Sequence, residues 1–221
     1  MEMKGALMTQ SNMSIVRRCV LITGGARSGK SAYAETLAAR LAGDRPVVYV
    51  ASALADDEEM RARIQAHRAR RPAHWVTLEA PVSPAEAIWA ARVEAPVVLL
   101  DCVTLLVSNI LLAALGQQAA PTTAEAGLAE RQVFQAIEDL LQTYRTSTRT
   151  FILVSNEVGM GVVPAYPLGR IYRDVLGRVN ARLAQEADAA LLMVAGLPIE
   201  VKELAARWRE RVAHLWEPEG N

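Results

Sequence analysis

The residues Gly24-Gly25-Ala26-Arg27-Ser28-Gly29-Lys30-Ser31 match the pattern G-x-x-x-x-G-K-[ST]. Glycines let a backbone wrap closely around a phosphate with its N–H groups pointing inward, and a helix starting near Gly29 adds the positive end of its dipole. Lys30 is then placed to reach the outer phosphates, and the Ser31 hydroxyl to ligate Mg2+. The octapeptide follows the apolar run 18–23 (RCVLIT) and precedes 30–42, where Ala, Leu and Tyr recur at helical spacing. That strand–loop–helix context makes the pattern a nucleotide site. Asp101 closes the run VVLLD. Parallel strands deliver their C-terminal ends to one sheet edge, so Asp101 is expected to meet the same Mg2+.

A second chemical candidate is His67, in the stretch Arg63-Ile64-Gln65-Ala66-His67-Arg68. Neutral imidazole is nucleophilic near pH 7, and attack on an α-phosphorus would form a phosphoramidate. Arg63, Arg68, Arg70 and Arg71 can stabilise phosphoryl charge and keep the imidazole neutral. Spacing alone favours a plainer reading, a polar residue on a solvated arginine-rich helix. His74 reads as a structural contact and His214 carries no assignment.

The elements that must position these residues follow from periodicity. Buried strands are expected at 18–23, 46–51, 96–101, 151–155 and 189–194, with shorter ones at 75–79 and 199–202. Helices are expected at 30–42, 57–70, 84–92, 103–115, 124–144 and 168–187. A Gly- and Pro-punctuated loop spans 157–167 and is expected to approach a ligand or move over one. Strands alternating with helices predict an α/β fold, a mainly parallel sheet covered on both faces. One domain over residues 16–203 is expected, with a loose extension at 1–15 and a C-terminal tail at 204–221.

The chain has 221 residues, 24 basic and 24 acidic, so no global field favours nucleic acid or an anionic membrane. Cys19 and Cys102 sit in apolar stretches and are expected to be reduced core residues. No apolar run reaches the ~18 residues needed to span a bilayer, and a cytoplasmic location is expected.

The blocks LITGGARSGKSAYAE, DDEEMRARIQAHRARRPAHWVTLE, LLDCVTLLVSNIL, SNEVGMGVVP and GRVNARLAQEAD occur in this order within residues 18–202. Together they resemble the bifunctional adenosylcobinamide kinase / adenosylcobinamide-phosphate guanylyltransferase family. The resemblance implies a RecA-like P-loop fold and two reactions. One phosphorylates the aminopropanol hydroxyl of adenosylcobinamide from GTP (or ATP). The other transfers GMP from GTP to adenosylcobinamide phosphate through a guanylyl-histidine, releasing pyrophosphate. His67 stands at the matching position and Lys30 serves as the phosphate-side catalyst. Some members carry another histidine where this chain has Ala66.

The resemblance further implies nucleotide contacts from Ser52, Ala53 and Leu54, from Arg68, Ala69, Arg70 and Arg71, and from Glu79. A carboxylate at Glu79 suits the adjacent N1–H and N2–H2 donors of guanine, and an exposed strand-end charge is the equal alternative. A homo-oligomer is also implied, with a trimer as the precedent. Two rival readings stand beside it: a P-loop small-molecule kinase with no covalent step, and a RecA-like NTP-gated module.

Overall fold

A computed structural model describes residues 18–54, 58, 61, 62, 65, 68, 69, 71–116 and 120–212. Chain order runs β1 Cys19–Gly24, α1 Lys30–Ala42, β2 Val47–Ala51, β3 Val76–Glu79, α2 Pro84–Ala91 and β4 Val97–Asp101. It continues through α3 Val103–Leu115, α4 Thr123–Arg145, β5 Thr150–Val154, α5 Pro167–Glu186, β6 Ala189–Val194, β7 Leu197–Glu200 and α6 Val201–Val212. Glu58, Arg61, Ala62, Gln65, Arg68 and Ala69 have helical backbone, as expected for 57–70. The extension at 1–15 lies outside the described residues.

The strands form one sheet in the order β3-β2-β4-β5-β1-β6-β7. Every pairing is parallel except that of β6 with β7. Strand β5 thus separates β1, which feeds the Gly-rich loop, from β4, which carries Asp101. This is the RecA-like arrangement the resemblance implied.

Side chains alternate across the sheet, and the core divides accordingly. Cys19, Leu21, Val48, Val50, Val98, Leu100, Phe151 and Leu153 face α2, α3, α4 and α5. Val20, Ile22, Val47, Tyr49, Val97, Leu99, Ile152 and Val154 face Ala34 and Ala38 of α1. Central strands sandwiched this way must be apolar at every position. Each fully buried aliphatic side chain contributes about 1.5–3 kcal/mol by leaving water.

Element limits match the sequence reading to within two residues, the last strand showing the largest offset, and a domain boundary and one cysteine also differ from expectation. The last strand is Leu197–Glu200, two residues early, because Ala195 (φ 50°) and Gly196 (φ 83°) make a tight two-residue turn. Helix α6 crosses the boundary drawn at 203. Cys19 is buried, but Cys102 is only partly so, since it sits at the strand-to-helix corner before α3. Burial, with Asp188 beside it, pushes the Cys19 thiol up to about 12, leaving it protonated and inert.

Candidate active site

The tips of β1, β2, β4 and β5 meet at one edge, in a register fixed by the ladder. Asp101 aligns with Val154 of β5, and Val154 with Ile22 of β1. Asp101 is therefore two strand spacings, roughly 10 Å, from the strand that launches the Gly-rich loop.

That loop is shaped by backbone that L-residues rarely adopt. Gly24 (φ 147°), Arg27 (φ 56°) and Gly29 (φ 92°) all have positive φ. Ser28 N–H donates to the Gly25 carbonyl at 3.3 Å, while Gly196 N–H donates to the Ser28 carbonyl at 3.1 Å. The β6–β7 turn thus braces the loop from behind. Gly25, Ala26 and Arg27 are exposed, so the loop presents open backbone to a ligand.

Lys30 is buried, and its ammonium donates to the Gly25 carbonyl at 2.7 Å. The Ser28 hydroxyl is sealed from solvent with no hydrogen-bond partner among the described residues. A buried cation beside an orphaned hydroxyl, within a ring of exposed backbone, fits an anionic phosphate.

Polar side chains hold the strand tips that surround this loop. The Ser52 hydroxyl donates to the Cys102 carbonyl at 2.6 Å and accepts from the Cys102 N–H at 2.9 Å. Asn109 donates to the carbonyls of Ser52 (2.8 Å) and Pro81 (3.0 Å). The Thr104 hydroxyl accepts from Asn156 N–H at 2.7 Å. Asn180 accepts from the Ser155 hydroxyl at 2.6 Å and donates to the Asn156 carbonyl at 2.9 Å. Glu157 N–H reaches the Gly24 carbonyl at 3.0 Å, tying the loop after β5 to the phosphate loop. Backbone groups that leave a sheet edge need such partners.

Tyr49, Thr104 and Asn109 carry no sequence assignment, whereas Asn180, in GRVNARLA, reads as either a contact to the loop after β5 or a packing residue, and it makes that contact. Single polar residues inside helices or strands carry no spacing signal. Asn156, beside a glycine-rich stretch at a strand end, and Asn180, in the block GRVNARLA, are the available pointers.

The predicted contacts divide into those that meet at the loop and those that do not. Gly24 to Ser31 form the loop itself. Ser52 is fully buried, and its hydroxyl is committed to Cys102. Ala53 is partly buried and Leu54 exposed. Arg68 pairs with Glu79 at 2.9 Å on the surface, and Ala69 is exposed next to it. Arg71 donates to Thr77 Oγ1 at 3.1 Å and lies 3.7 Å from the centre of the Tyr49 ring.

A cavity of ≈ 320 Å³ lies among Arg68, Arg71, Pro72, Ala73, Trp75 and Thr77 at the β3 edge. His67 and Arg70 lie outside the described residues; their sequence neighbours Arg68 and Arg71 lie against β3 and β2. Asp101 is half-buried and accepts from the Tyr49 hydroxyl at 3.1 Å. Burial, with Asp101 adjacent, drives the phenol well above its usual range, so it stays a neutral donor.

No group of three or more His, Cys, Asp or Glu that could hold a metal occurs among the described residues. A site with one carboxylate, one hydroxyl and the nucleotide's own oxygens suits Mg2+, which is seldom bound by all-protein cages. No described helix is long and apolar enough to cross a membrane.

Comparison with known proteins adds the chemistry. Residues 20–201 match the family model described as cobinamide kinase / cobinamide phosphate guanyltransferase. The bifunctional adenosylcobalamin biosynthesis protein CobU of Salmonella typhimurium is 42% identical over 184 residues, 83% of this chain and 99% of that protein. Its counterpart in Escherichia coli is 40% identical over 183 residues, 83% of this chain and 99% of that protein. CobP of Pseudomonas aeruginosa is 42% identical over 182 residues, 82% of this chain and 96% of that protein. Among solved structures, a KaiC-like protein of Pyrococcus horikoshii aligns with a TM-score of 0.41 at 12% identity, over 80% of this chain and 72% of that one.

Proposed function

The chain belongs to the cobinamide kinase / cobinamide phosphate guanyltransferase family of adenosylcobalamin biosynthesis, and we propose that its two transfers are divided between the phosphate loop and His67. The observation that carries the phosphate-loop half is the buried Lys30 and the Ser28 hydroxyl, unpartnered among the described residues, in a loop braced by Gly196. The His67 half rests on the family resemblance.

In the first transfer, the cobinamide hydroxyl oxygen attacks the γ-phosphorus of GTP or ATP, the P–O bond to the nucleoside diphosphate breaks, and the hydroxyl proton passes to solvent. Lys30 releases the Gly25 carbonyl and neutralises charge developing on the β- and γ-oxygens. Ser31 and Asp101 would hold Mg2+, which supplies charge neutralisation when bound.

In the second transfer, a His67 ring nitrogen attacks the α-phosphorus of GTP and pyrophosphate leaves. A phosphate oxygen of adenosylcobinamide phosphate then attacks the same phosphorus and frees the imidazole, giving adenosylcobinamide-GDP. The arginines after His67, namely Arg68, Arg70 and Arg71, balance phosphoryl charge during these steps. Glu79 selects guanine once Arg68 releases it. That exchange costs little, because both side chains of the pair are more than half exposed.

The loop that follows β5, tied to Gly24 at its start through Glu157 N–H, exposes Met160, Val162, Val163 and Tyr166, apolar side chains that suit the corrinoid acceptor. A homo-oligomer, as in the family precedent, would cover the exposed Leu197 of β7 and Leu204 and Trp208 of α6.

The test is incubation with Mg2+ and GTP labelled at the α-phosphate, with His67→Ala alongside. Acid-labile, alkali-stable label is expected on the wild type and absent from the variant, while cobinamide phosphorylation persists in both. A folded, GTP-binding wild type that takes no label excludes the covalent route and leaves a simple P-loop kinase.

A further inference from the structure

We infer that Tyr49 is the positioning residue for the Asp101 carboxylate, and that Arg71 holds Tyr49 in place. The inference rests on the reading of Asp101 as the metal-side acid.

Tyr49 and Asp101 lie on adjacent parallel strands, where Tyr49 aligns with Leu99 and Ala51 with Asp101. Alternation puts Tyr49, Leu99 and Asp101 on the sheet face covered by α1, the helix that begins with Lys30. From there the phenol reaches diagonally to the strand tip and donates to Asp101 Oδ2 at 3.1 Å. A tyrosine 4% exposed needs a hydrogen-bond partner for its hydroxyl, and here the partner is the acid. No other hydrogen bond to this carboxylate occurs among the described residues. One oxygen is therefore fixed by a neutral donor, which orients the group without neutralising its charge.

The ring is fixed in turn. The Arg71 guanidinium sits 3.7 Å from the ring centre, and its Nη1 is anchored on Thr77 of β3. A cation over an aromatic face is attracted by the ring quadrupole, which opposes rotation of the ring away from it. Arg71 follows His67 by four residues. The contact column Thr77–Arg71–Tyr49–Asp101 therefore connects the segment carrying the candidate nucleophile to the acid at the phosphate edge. Hydrogen-bond partners of metal-ligating groups set their orientation, and their loss costs ~10–100-fold in metal affinity or activity. A tyrosine that merely filled the core would lose nothing at the metal when only its hydroxyl is removed.

The experiment measures equilibrium GTP binding to the full chain by calorimetry, with and without Mg2+. Wild type is compared with Tyr49→Phe, Asp101→Asn, the double variant and Arg71→Gln. Tyr49→Phe keeps the ring and its stacking, and thermal melts verify that each variant folds. The Mg2+-dependent tightening of GTP is expected to fall about tenfold in Tyr49→Phe, with metal-free binding unchanged. In the Asp101→Asn background the same change should add nothing, because the two act through one interaction. Arg71→Gln should reproduce part of the loss.

If Tyr49→Phe binds Mg2+ and GTP like wild type while Asp101→Asn does not, the positioning role is overturned and the metal assignment stands. If Asp101→Asn keeps full Mg2+ dependence, the metal assignment fails and takes this inference with it. A Tyr49→Phe effect undiminished in the Asp101→Asn background overturns the route through Asp101.

Discussion

A Cβ placed on Gly24 would lie 2.6 Å from the Met193 carbonyl oxygen and 2.9 Å from the Ser28 hydroxyl, at a φ of 147°. Backbone cannot yield as a flexible side-chain end can, and the φ is unsuitable for any L-residue with a side chain. Gly24→Ala is therefore expected to destabilise the chain by about 1–3 kcal/mol and to displace the Ser28 hydroxyl. Denaturant unfolding and GTP titration would read both losses, and a variant that binds and melts like wild type would refute the close approach. This glycine was legible as part of a motif, but its contact with Met193 was not, since β6 lies about 170 residues further on. Tyr49 gives the opposite case. In the run VVYVA a tyrosine reads only as a good strand former, and nothing local reveals that its hydroxyl meets Asp101.

At the scale of elements, α4 opens with a capping box in which Thr122 and Glu125 exchange hydrogen bonds, a signature visible in sequence. What joins α4 to α5 is not visible there. Arg145 grips Glu186 with two hydrogen bonds (2.9 and 2.6 Å), and Arg182 grips Glu138 likewise (2.7 and 3.0 Å). Hydrogen bonds from Arg145 lead the causes that hold the Glu186 carboxyl below its ordinary value of 4.5. A depressed folded value means that Glu186 stabilises the fold fully above that ordinary value. The contribution disappears as pH falls through the lower folded value. Melting temperatures of wild type and Glu186→Gln should thus differ at pH 7 and converge under acid. A constant gap down to the acid transition would show that the carboxylate charge is not what joins the helices. The helix limits themselves were readable because caps and periodicity are local. Strand β6 falls on its expected limits, but β7 begins two residues earlier than expected because Ala195, an ordinary residue in sequence, adopts positive φ in the turn between them.

At the scale of the whole molecule, β7 closes one sheet edge, and α6, which follows it and packs against β6, has no buried residue. Leu197 on β7 is 69% exposed, and Leu204 and Trp208, one turn apart on α6, are 51% and 60% exposed. If a second copy of the chain covers this edge, Trp208→Glu should shift the assembly to monomer in light scattering and leave monomer folding intact. An unchanged mass would place the contact elsewhere. Composition gave no notice of this edge, because exposure is a property of packing and not of residue type.

The sequence by itself determined the alternation of strands and helices, the phosphate loop, the acid at the end of β4 and the family. Each depends on short-range periodicity, or on blocks whose order along the chain is the information. Only the tertiary structure decided that β5 stands between β1 and β4. It also decided that Gly196 braces Ser28, that Asn180 secures the loop after β5, and that Tyr49 and Arg71 converge on Asp101. These contacts join residues separated by tens to more than a hundred positions, and they exist only once the ladder fixes register and each strand's alternation selects a face.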